Sequence, residues 1–141
     1  MTVGGFQREF NNLAIQINRS YVLPEPEIKS GEVYNVFNQQ LSSDLGMIGT
    51  VNKDGMLHDL VFILAGKDKD GLKAVVVILG TAQVLNSGIA KDVNSHVVME
   101  MINTLVKNKS TKEERIVGNL KYTAMANQGM GLWFTFSSAN Q

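Results

Sequence analysis

A chain of 141 residues is long enough for one domain with a self-sufficient core, and 44% hydrophobic with 18% charged residues argues against disorder. Thirteen basic residues balance thirteen acidic ones, so no net field draws in nucleic acid or an anionic membrane. The absence of cysteine excludes disulfides, thiolate zinc sites and cysteine nucleophiles.

The opening MTVGGFQREF lacks the charged-then-apolar layout of a signal peptide, so the expected location is the cytosol, or outside it after removal of a signal. The longest apolar stretch, Ala74 to Leu79, is far short of the ~20 residues that span a bilayer. Residues 6 to 19 predict an amphipathic helix whose inward face is Phe6, Phe10, Leu13, Ala14 and Ile17. Pro24 and Pro26 end it in a surface connection, LPEPEIKSG.

Glu32 to Leu41 fits both periods, and its β-branched and aromatic residues favour a strand. Leu45 to Asn52 is a second strand, with Gly46 and Gly49 marking a bulge or a close backbone approach. NKDG (52–55) is a hairpin turn, Asp54-Gly55 supplying the positive φ that a tight connection needs. Met56 to Ala65 is apolar on both faces beyond Asp59, which predicts a central strand.

The next stretch, GKDKDG (66–71), has three readings. As a calcium loop with Gly71 at the sixth position, it would put Gly66 at the first and Val77 at the twelfth, so two ligands are missing. TVNKDG fails the same way, with Thr50 first and Val61 twelfth. As a phosphate loop it is followed by Leu72-Lys73 rather than Lys-Ser/Thr, and Asp68 and Asp70 would repel phosphate. A solvated strand-to-helix turn remains.

Leu72 to Leu85 is apolar nearly all round and too long for a strand, so it reads as a buried helix. A further helix is expected over about 93–107, with Asp92 or Asn94 as N-cap and an inward face of Val93, Val97, Val98, Met101, Ile102 and Leu105. STKEER (110–115) holds two overlapping capping boxes, predicting a short helix that stops near Gly118. Leu120–Ala126 and Leu132–Ser137 form a hairpin around NQGMG, with Leu120, Tyr122, Ala124 and Ala126 on one face opposite Leu132, Phe134 and Phe136. Blocks of strands and blocks of helices predict an α+β class: one domain over residues 1–141, a mainly antiparallel sheet of about five strands, and helices packed on one face.

Chemistry-bearing motifs are sparse. His58 and Asp59 are neighbours on a strand and should point to opposite faces. His96 and Glu100 are four apart on the polar side of a helix, the spacing of a surface pair or of two metal ligands. No G-x-S-x-G nucleophile elbow occurs. Asn18-Arg19-Ser20 and Asn108-Lys109-Ser110 fit the N-glycosylation pattern, a triplet that chance often supplies.

The least bland feature is the C-terminal hairpin tip, where Met125, Met130 and Trp133 surround glycines. Such residues either fill the core or make an adaptable contact surface, a homodimer face or an edge for strand addition. The expected function is a non-enzymatic binding or protein-interaction domain acting through a protein partner or small ligand, with no cofactor or metal assigned. The alternative is a small enzyme or ligand carrier with a pocket between sheet and helices, where His58, Tyr122 or His96 would supply polar groups. A His58 lining an open cavity favours the second reading, and an exposed Trp133 the first.

Overall fold

In the computed structural model, which describes residues 1–65, 71–108, 111–127 and 131–139, three helices and six strands follow one another in blocks. Helix α1 (Val3–Ile17) begins three residues before its apolar periodicity does, because Thr2 caps it by accepting a hydrogen bond from Gly5 N at 3.0 Å. Val3 thereby joins Phe6, Phe10 and Ala14 on the buried face. Asn11 exchanges two hydrogen bonds with the backbone of Leu23 and ties the proline-bearing connection to the helix.

Strands β1 (Asn35–Gln40), β2 (Leu45–Val51) and β3 (Leu57–Leu64) form one antiparallel meander. The turn between β2 and β3 is the expected one: Gly55 has φ +90° and its N–H reaches Asn52 O at 2.9 Å. Helices α2 (Gly71–Leu85) and α3 (Lys91–Asn108) follow, then a second meander of β4 (Lys112–Val117), β5 (Leu120–Asn127) and β6 (Gly131–Ser138). The meanders join through β3 and β6, so the sheet order is β1-β2-β3-β6-β5-β4, antiparallel throughout. The turn expected at GKDKDG lies, for residues 66–70, outside the described residues.

Two expectations fail here. The capping boxes at 110–115 do not start a helix: Lys112–Val117 is a strand, and the sheet has six strands rather than five. The segment is too short to stabilise a helix by itself, and pairing with β5 satisfies the inner side of its backbone and buries Val117. Its acidic residues serve as strand side chains, Glu114 pairing with Lys112 at 2.8 Å and Glu113 with Arg115 at 3.4 Å. The second failure is the start of α3, which begins at Lys91, so Asp92 and Asn94 lie inside its first turn. Asn94 is fully buried there and takes the inward position expected of Val93, which is exposed.

Helices cover one sheet face. Phe37, Met47, Phe62, Tyr122, Phe134 and Phe136 pack beneath Phe6, Phe10, Ile78, Val98 and Met101 as a single core. Close approach of α1 and α2 depends on Gly80, where a Cβ would overlap Leu13.

Candidate functional site

The opposite sheet face carries no helix among the described residues, and pairing register places its side chains in three transverse rows. The first row, from β1 to β4, is Val36, Thr50, Asp59, Ser137, Lys121 and Ile116. The middle row is Asn38, Ile48, Val61, Thr135, Thr123 and Glu114. The last is Gln40, Gly46, Ile63, Trp133, Met125 and Lys112. Ile48, Val61, Ile63, Trp133 and Met125 are therefore contiguous at the centre, drawn from four strands. Val36, Met125 and Ile116 are 37%, 40% and 62% exposed, against 0–2% for the aromatic residues of the helix-covered face. Polar side chains ring the patch. Lys112 holds the Glu114 carboxyl below its ordinary range, and Lys121 adds to that effect.

Two side-chain atoms on this face are shut from solvent with no hydrogen-bond partner among the described residues: Asp59 Oδ1 and Trp133 Nε1. Asp59 also overturns an expectation. His58 and Asp59 do not point apart, since His58 Nδ1 lies 3.2 Å from Asp59 Oδ2 and 3.3 Å from Thr50 Oγ1. A β-bulge is the reason: Thr50 pairs with Asp59 but Val51 with Leu57, so His58 is skipped and the alternation shifts. Tyr34 stacks on the His58 ring, centroids 4.1 Å apart. Behind this cluster a cavity of about 120 Å³ is lined by His58, Asp59, Leu85, Leu120 and Ser137.

Of the residues singled out in the sequence, Trp133 and Met125 lie side by side on the uncovered face, and His58 stands at its end. Met130 lies outside the described residues. Tyr122 points the other way, into the helix layer, where its hydroxyl donates to Asn94 Oδ1 (2.6 Å) and accepts from Asn86 Nδ2 (3.0 Å). Burial pushes its hydroxyl pKa up, partly opposed by the Asn86 hydrogen bond. Tyr122 is thus a structural tie between α3 and the sheet. Because β5 and β6 are both interior strands, the hairpin offers no free edge for strand addition. His96 and Glu100 form an exposed pair at 3.5 Å on α3, with Arg115 3.7 Å from the same carboxylate.

Ile48, Val61 and Ile63 were not singled out in the sequence. Their signal was present, since β3 is apolar on both faces, but it reads as a strand covered twice rather than one with an open apolar side.

A second concavity lies on the outer surface of the helix layer. α2 forms its floor and α1 and α3 its walls, enclosing about 740 Å³ lined by Leu13, Ile17, Val76, Leu79 and Val84, with Glu9 and Lys91 among the polar lining. No protein-family model matches the chain, and no curated protein or solved structure matches it significantly.

Proposed function

We propose that this chain is a non-enzymatic protein-interaction domain that binds through the uncovered sheet face. One observation carries the reading: Ile48, Val61, Ile63, Trp133 and Met125 form a contiguous apolar patch on the face that carries no helix among the described residues. The patch also has interface anatomy, an apolar centre with a tryptophan inside a polar rim.

The test is a photoreactive amino acid placed at Thr135 within the patch, with a control at Asn103 on the exposed side of α3, expressed in the native cells. The Thr135 position should give a discrete cross-linked protein that excess unlabelled chain competes away and an Ile63→Asp chain does not. Equal or absent adducts at the two positions would refute the reading.

The groove over α2 favours a second reading, a carrier for one small apolar ligand, since its volume is that of a ligand site. That groove lies outside the helix layer rather than between sheet and helices; His58 lines the smaller cavity of about 120 Å³ instead, and Trp133 is half-buried rather than exposed, so the markers set out in the sequence do not favour the sheet-face reading. A thermal-shift screen against apolar metabolites separates the two readings, because a ligand at a hundred times its Kd adds about 2.7 kcal/mol.

A further inference from the structure

We infer that the occupant of the uncovered sheet face is a second copy of this chain, related by a two-fold axis running along the strands between β3 and β6. This rests on reading that face as an interaction surface, and it names the partner.

Rotation about that axis lays β3 on the β6 of the second copy, β2 on β5 and β1 on β4, and keeps each transverse row opposite itself. The contacts then match in size. Ile63 meets Trp133, Val61 meets Thr135, and Met125 lies against the Gln40 amide that overhangs Gly46. They also match in charge. Lys112 faces Gln40, Lys121 faces Thr50 and Glu114 faces Asn38, so no like charges meet. Asp59 faces Ser137, so the carboxylate meets a neutral side chain.

The other two-fold axis available to face-to-face sheets runs across the strands. It exchanges the first row with the last and sets Asp59 on Ile63 and Lys121 on Met125, burying charge against apolar side chains. Self-complementarity therefore selects one axis. Six strands at ~4.8 Å spacing and ~22 Å length give a footprint of roughly 600 Å² per copy before side-chain relief, approaching the ~800 Å² per partner of a stable interface.

The chain has no cysteine and one tryptophan, which makes the test direct. Sedimentation equilibrium should give twice the 15.5 kDa chain mass at micromolar concentration. Trp133 emission should shift to the red on dilution. Ile63→Lys, or Met125→Lys if the first variant does not fold, should raise the dissociation constant at least roughly tenfold. The register is tested by mixing Ile48→Cys chains with Thr123→Cys chains and adding a bismaleimide matched to the ~10 Å between packed sheets. The mixture should cross-link, and each variant alone should not. A monomer at 100-fold higher concentration, roughly where weak interfaces would still associate, overturns the inference, as does cross-linking of Ile48→Cys with itself. A monomer that still yields a Thr135 photo-adduct with a different protein defeats the second-copy assignment and leaves the interaction reading standing. A monomer with no adduct defeats both.

Discussion

Replacing Tyr122 with Phe removes one oxygen and tests whether the α2–α3 corner is locked to the sheet by polar contacts. The hydroxyl donates to Asn94 Oδ1 at 2.6 Å and accepts from Asn86 Nδ2 at 3.0 Å. The two losses are unequal. Asn86 Nδ2 keeps the carbonyl of Val117 at 2.8 Å, so it is not orphaned. Asn94 is fully buried, and its Oδ1 loses the donor that Tyr122 supplies. The cost is therefore that of one buried acceptor left unpaired, about 1–3 kcal/mol, with no cavity to add because the ring is retained. For a domain of this size that lowers Tm by roughly 3–9 °C. Urea unfolding of the wild type, Tyr122→Phe, Asn94→Ala and the double variant gives the coupling energy, expected at about 0.5–3 kcal/mol. A single-variant loss under about 0.5 kcal/mol with no coupling would refute the view that this network fixes the corner, leaving apolar packing as the sole tie.

The same residue sets an alkaline limit. Burial raises the Tyr122 pKa above its ordinary 10.0 in the folded chain, so above about pH 10 the unfolded chain releases a proton that the folded one retains. Stability from this group is complete below pH 10 and lost as pH rises through the folded pKa. Tyr122→Phe should show a shallower alkaline decline in urea midpoint than the wild type, and parallel curves would contradict this. At the sheet, Gly49→Ala places a Cβ into the ring of Phe37, its cross-strand partner. Phe37 must leave its buried site, and the loss should approach the about 3–5 kcal/mol of a Phe truncation in a core. Phe37→Leu in the same background should recover part of it by calorimetry.

Much of the fold is legible in the chain because it is written in local periods. The 3.6-residue repeat of Phe6, Phe10 and Ala14, the alternation of Tyr122 with Ala124, and Asp54-Gly55 each specify an element without reference to distant residues. Residues 112–117 were not legible, since a capping-box pattern and a strand alternation coexist there. The choice went to the strand because β5 had an edge to pair and Val117 a core to enter. His58 beside Asp59 was hidden for a related reason: a one-residue bulge reverses side-chain direction and leaves no mark in composition.

Sequence alone determined the α+β class, the glycine turn and the inward stripes of the β5–β6 hairpin, because these follow from dihedral preference and side-chain period over a few residues. Only the tertiary structure decided that β3 lies against β6. That long-range pairing joins the apolar outer stripes of two meanders, Ile48, Val61 and Ile63 with Trp133 and Met125, into one patch. Strand order depends on contacts between segments some seventy residues apart, for example Val61 with Thr135, and no local period encodes it.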